Sequence, residues 1–164
     1  MAVLRLLHIV FGVFWAGSAF FMAVLLEPRL RTLGPPIQRP VMQALVPVLL
    51  PAMIGSSLIT LLAGLVLALL LSGGQLGAFV TSGWGWAMVF GLLASFAAAI
   101  VGFGVNTPTA KRMERLGNSI QGRPPTPAEV QELGTLSQRL TLFSRLSAAL
   151  LLLAVATMAV ARYV

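Results

Sequence analysis

The sequence predicts an all-α fold, a four-transmembrane-helix bundle, and three observations lead to it. Of its 164 residues, 58% are hydrophobic and only 9% are charged, whereas a soluble chain is about 45–50% apolar and about 25% charged. Positions 40 to 110 hold no Asp, Glu, Lys or Arg, a stretch far longer than the about 20 residues of one bilayer crossing. Of the 11 Lys and Arg residues, which stand against 4 acidic ones, eight gather in two connections. A mean hydropathy of +0.95 excludes a disordered chain. The length excludes a large transporter or a multi-domain enzyme. Without Cys there is no disulfide, thiolate nucleophile, iron–sulfur cluster or zinc–thiolate site.

The first span is predicted over about 4–26, between Arg5 and the stop signal Glu27-Pro28-Arg29. Its apolar run exceeds the h-region of a signal peptide, so it is read as an uncleaved helix. Ser72-Gly73-Gly74-Gln75 and Thr81-Ser82-Gly83 divide the uncharged stretch into spans at about 47–71 and 84–105. The fourth span covers about 140–162, ending at Arg162-Tyr163. The chain is then a single integral membrane domain, 1–164, with connections 27–46 and 106–139. These connections carry Arg29, Arg31 and Arg39, and Lys111, Arg112, Arg115, Arg123 and Arg139. The positive-inside rule places both in the cytoplasm and both termini outside, N-out/C-out, in a bacterial inner membrane. The basic excess is thereby accounted for by topology, and nucleic acid is not an expected partner. Lipid, including anionic headgroups, is.

Within the second connection, Thr109 to Ile120 reads as a short basic helix lying under the headgroups, broken by Pro124-Pro125. Thr126-Pro127-Ala128-Glu129 then carries the marks of a helix start, an N-cap Thr, a Pro at the first helical position and a Glu suited to a capping box. That helix is expected to run into the fourth span. Pro35, Pro36 and Pro40 suggest a turn and a short interfacial segment in the first connection.

Helices in lipid associate through close backbone approach and polar contacts, since lipid tails are as apolar as Leu. Ala52, Ser56, Thr60, Gly64 and Ala68 recur every four residues in the second span, and Gly91, Ser95 and Ala99 do so in the third. These rows are the expected packing seams. Seams on two spans also suggest a homo-oligomer or a larger membrane complex.

Ionisable residues within a span are the first place to look for function. His8 lies in the outer third of the first span, with Gly12, Trp15, Ala19 and Met22 following down its face. Met88 and Met158 fall at similar depth in the third and fourth spans. A neutral imidazole can ligate haem iron or copper, a thioether can supply a soft second ligand, and Gly12 would leave room for a flat macrocycle. The same imidazole can instead bond a backbone carbonyl, and Met often only fills gaps. Glu27 is expected to form a helix-end salt bridge with its neighbouring arginines, and Arg145 to snorkel or to pair with Glu27. No catalytic constellation is visible: the chain has no Asp, paired intramembrane carboxylates, HExxH motif or phosphate loop.

Leu7-His8-Ile9-Val10, Gly12, Trp15-Ala16-Gly17 and Glu27-Pro28-Arg29-Leu30-Arg31 form a pattern that resembles the first helix of CopD-type copper-resistance proteins, HemJ-type protoporphyrinogen oxidases and their four-helix relatives. The resemblance implies a helical bundle in which His8 binds haem b, or sits near a copper path, with Arg29 matching the arginine of the helix-end motif. HemJ-type proteins also carry an intramembrane Lys in a later helix, whereas the only Lys here is Lys111, in a connection. The expected function is therefore a haem b-binding, redox-associated membrane protein. A copper-handling protein and an accessory subunit without cofactor are the alternatives.

Overall fold

The computed structural model describes residues 1–163 and shows a four-helix, all-α bundle with no strand among them. Four helical stretches are long and apolar enough to cross a membrane: Ala2–Leu33, Pro36–Leu71, Gly83–Ser119 and Pro127–Val160. The first comprises α1 (Ala2–Phe20), a π-helical turn (Phe21–Leu26) and α2 (Glu27–Leu33). α3 (Pro35–Leu71) follows, then the short α4 (Leu76–Thr81). The third stretch repeats the plan of the first, with α5 (Gly83–Val101), a π-helical turn (Gly102–Asn106) and α6 (Thr107–Ser119). α7 (Pro127–Val160) closes the bundle.

The connections are more helical than the sequence suggests. Positions 27–46 form no extended loop: helix continues to Leu33, reverses at Gly34 (φ 80°) and resumes at Pro35. The left-handed backbone at Gly34 is open to a residue without Cβ, and Pro35-Pro36 suit a first helical turn, whose amide hydrogens need no partner. Likewise the helix that carries the third span does not stop at Asn106-Thr107-Pro108. The basic segment expected to lie under the headgroups prolongs it as α6.

Both π-helical turns stand at the same place relative to a proline, whereas Pro40, Pro47 and Pro51 lie inside α3 without one. Each ends two residues before a proline, Pro28 or Pro108. A proline ring inside a helix clashes with the carbonyl four residues earlier and supplies no hydrogen to it. Inside a bilayer that carbonyl must still find a partner, and widening the preceding turn is one way to provide it.

The Thr126 start is present as a complete capping box, in which the Glu129 amide donates to Thr126 Oγ1 (3.3 Å) and the Thr126 amide donates to Glu129 Oε2 (2.8 Å). Arg123 adds two bonds to the same carboxylate. The Arg123 bonds, then the Thr126 amide, hold the Glu129 pKa down at about 2, and the carboxylate raises that of Arg123. Because the folded value is depressed, the contribution of Glu129 is complete above about 4.5, the ordinary value, and is lost as pH falls through about 2. Hydrogen exchange in detergent should accordingly show the first turn of α7 fraying in that window. Glu129→Gln, which has no carboxylate to protonate, should remove the pH dependence.

The helices pair as two hairpins, α1 along α3 and α5 along α7, with α1 also touching α7 and α3 meeting α5 only sparsely. Small residues make the seams. Ser56, Thr60, Ala94, Ser95, Ala98 and Ala99 are all buried. Trp15, Ala16, Ala19 and Leu61 form the central cluster with Ala98, Ala99 and Leu151. Glu27 accepts from Arg31 (3.0 Å) and from Thr141, and Arg31 also reaches Ser137, which clamps α2 to α7. Arg145 makes no ion pair with Glu27 among the described residues.

Candidate functional site

The start of α1, the end of α3, the start of α5 and the end of α7 meet at one end of the bundle, around a cavity of about 350 Å³. His8, Met88 and Met158 all line it, with Arg5, Trp84 and Ser95 among the other walls. His8 and Met88 each stand 20 residues before the proline that follows their π-helical turn, so the two similar halves deliver them to one level.

His8 is held from α3. Its Nδ1 lies 2.9 Å from the carbonyl oxygen of Thr60. A carbonyl can only accept, so Nδ1 is the donor, and in the neutral ring Nε2 then carries the lone pair. Nε2 has no hydrogen-bond partner among the described residues. The approach is possible because position 64, one turn beyond Thr60, is glycine. A Cβ there would lie 2.7 Å from His8 Cε1 and 2.9 Å from Nδ1, inside van der Waals contact. Thr60 itself spends its hydroxyl on the carbonyl of Ser56 (2.7 Å), which leaves its backbone oxygen as the group that orients the ring. A ring nitrogen bonded to a backbone carbonyl is the usual way in which a metal-ligating imidazole is aimed.

Met158 is similarly seated against a glycine. A Cβ at Gly91 would lie 2.8 Å from Met158 Cγ and 2.9 Å from its Cε. Thus α3 offers Gly64 to His8 and α5 offers Gly91 to Met158, and the seams read as packing rows also set the walls of the cavity. Among the described residues no group of three or more His, Asp or Glu gathers, so hard, carboxylate-rich coordination has no basis here.

The other residues singled out on α1 lie elsewhere. Gly12 faces α3, where a Cβ would meet Thr60 Cγ2 at 3.3 Å, so no flat surface is left there for a macrocycle. Trp15 is buried and lines a second, larger cavity further along the helix. Arg29 is exposed, 21 residues from His8 and hence about 31 Å away at about 1.5 Å per residue. It cannot share a ligand with His8. Conversely, Thr60 and Gly64 belong to the site although their four-residue spacing suggested only packing. The signal available in the sequence was a carbonyl-and-glycine pair at i and i+4 facing a span with one imidazole, and it carries no distinguishing residue type.

No protein-family model, curated protein or solved structure matches the chain.

Proposed function

We propose that the protein is a multi-pass protein of a bacterial inner membrane, its basic end in the cytoplasm and both termini outside, which holds a soft metal ion, Cu(I), at His8. The observation that carries this reading is the His8 Nδ1 contact to the Thr60 carbonyl, which leaves Nε2 available in a cavity also lined by Met88 and Met158. One imidazole and two thioethers are a soft donor set, of the kind that favours Cu(I) over Mg²⁺ or Ca²⁺. Such a protein would handle copper at the outer side of the membrane rather than catalyse a reaction of its own.

A second reading, haem b with His8 as an axial ligand, is supported by the volume of the cavity, about 350 Å³, since that exceeds what one ion requires. The tautomer suits haem iron as well as copper. Against it stands the loss of Gly12 as a seat for the macrocycle.

The deciding experiment uses the purified protein in detergent. It is titrated anaerobically with Cu(I) against a chromophoric competitor, and separately incubated with haem. The expected result is one Cu(I) retained per chain and no haem absorbance. A protein that is purified coloured, or that takes up haem in preference, supports the second reading. One that holds neither overturns both and leaves an accessory subunit without cofactor.

A further inference from the structure

A second cavity, about 610 Å³, lies at the basic end and shares no wall residue with the one at His8. It opens where α3 stands apart from α5 and α6. Its deeper walls are apolar, with Trp15, Leu50, Met53, Phe103 and Leu151. Polar residues face it from both sides: Gln38, Arg39 and Gln43 on α3, and opposite them Asn106 at the end of the π-helical turn, Glu114 on α6 and Gln121 just beyond it. No hydrogen bond or ion pair joins the two polar rows among the described residues. Arg39 and Glu114 have no ion-pair partner there, although the other three glutamates are all paired. The inner amide atom of Asn106, Oδ1, is buried without a partner, while Nδ2 contacts Ser147 Oγ at 3.3 Å. Since Ser147 Oγ both donates and accepts, it serves either orientation of that amide, and in each the other amide atom is left facing nothing.

A cavity with an apolar interior and two unbridged polar walls fits an amphiphile lying with its head at the interface and its chain inside. The charges choose the head. The basic end as a whole would attract anionic lipid, but the cavity wall itself carries Arg39 and two carboxylates, of which Glu27 is already bound by Arg31, so that Arg39 and Glu114 are its one unpaired cation and one unpaired anion among the described residues. A phosphate suits Arg39. The carboxylate of Glu114 would repel a purely anionic head and accepts hydrogen bonds from an ammonium bearing N–H groups, which a quaternary ammonium lacks. Asn106 lies eight residues before Glu114, about 12 Å deeper along the helix. A lipid seated with its head at Arg39 and Glu114 would bring its glycerol ester groups towards the one amide atom of Asn106 that has no partner, which in the orientation that places N–H there can donate to an ester carbonyl.

From this arrangement we infer that the cleft between α3 and α5–α6 binds a zwitterionic phospholipid with a primary ammonium head, phosphatidylethanolamine in chemistry. The phosphate lies on Arg39, the ammonium on Glu114 and one acyl chain against Trp15. This site is independent of metal binding at His8.

Trp15 supplies the test, because it is buried from the surrounding bilayer and lines the cleft. Full-length protein carrying Trp84→Phe and Trp86→Phe is reconstituted in phosphatidylcholine vesicles containing acyl-brominated phosphatidylethanolamine, phosphatidylcholine or phosphatidylglycerol. Brominated phosphatidylethanolamine should quench Trp15 at a several-fold lower mole fraction than the other two. Glu114→Gln should abolish that preference, and Arg39→Gln should weaken quenching by all three. Both side chains are exposed and make no internal bond, so neither change threatens the fold. Arg29→Gln, outside the cleft, should change nothing. Equal quenching by the three heads, or strongest quenching by phosphatidylglycerol, overturns the assignment. So does a Trp15 that no lipid reaches, as a cleft closed on itself or filled by a second copy would give.

Discussion

Replacing His8 with Gln is expected to abolish metal retention while leaving the bundle folded. The Gln side chain can still donate an amide hydrogen towards the Thr60 carbonyl, which lies 2.9 Å from His8 Nδ1, but it has no imidazole lone pair to offer a soft metal. Loss of a group that merely orients a ligand costs about 10–100-fold in metal affinity, and loss of the imidazole itself should exceed that. Met88→Leu and Met158→Leu keep the volume of the cavity wall and remove only a thioether. Each should therefore weaken Cu(I) binding by about tenfold or more with little effect on stability. The measurement is competitive Cu(I) titration of the four proteins, with helical content and thermal aggregation followed in parallel. If His8→Gln binds Cu(I) as wild type does, the copper reading fails. If both Met variants do so while His8→Gln does not, the soft-ligand set fails and a site built on the imidazole alone remains.

Gly64→Ala should destabilise the protein by about 1–3 kcal/mol, the usual cost of forcing a carbon into a filled site. It should also release His8 from Thr60. A Cβ at position 64 would fall 2.7 Å from His8 Cε1, and a planar ring held at Nδ1 cannot yield as a flexible chain end can. In a His8→Ala background the ring is gone and the added methyl group has space. Gly64→Ala should there cost close to nothing, and the non-additivity of the double-mutant cycle measures the contact directly. Equal costs in the two backgrounds, read from unfolding in detergent, would place His8 away from Gly64 and remove the geometry on which the metal reading depends.

The proline signals and the capping signal differ in how they could be read. Asn106-Thr107-Pro108 and Glu27-Pro28 look like helix stops, because in water a proline generally ends or kinks a helix. In this bundle both prolines lie within continuous helical stretches, each behind a π-helical turn. Within the hydrocarbon core of a bilayer an unpaired carbonyl has no water to fall back on, so a distorted turn costs less there than an open helix end. Thr126 and Glu129, by contrast, signal their capping box unambiguously. That motif is closed within four residues and needs no tertiary partner.

The sequence by itself determined how many helices can span the membrane, where the charged ends lie, and that one imidazole and two thioethers stand at comparable depth. These follow from hydropathy, charge and helical rise, all of which are local. Tertiary structure alone decided which way α1 faces. Gly12 packs on Thr60, Trp15 turns to the cleft at the basic end, and His8 turns onto Gly64. It also left α3 apart from α6, with Arg39 and Glu114 unbridged. A soluble helix announces its buried face by an apolar stripe. In lipid both faces are apolar, and helices choose each other by backbone approach and a few polar bonds. Those depend on which glycine lies opposite which side chain across the bundle, and no window of sequence contains both.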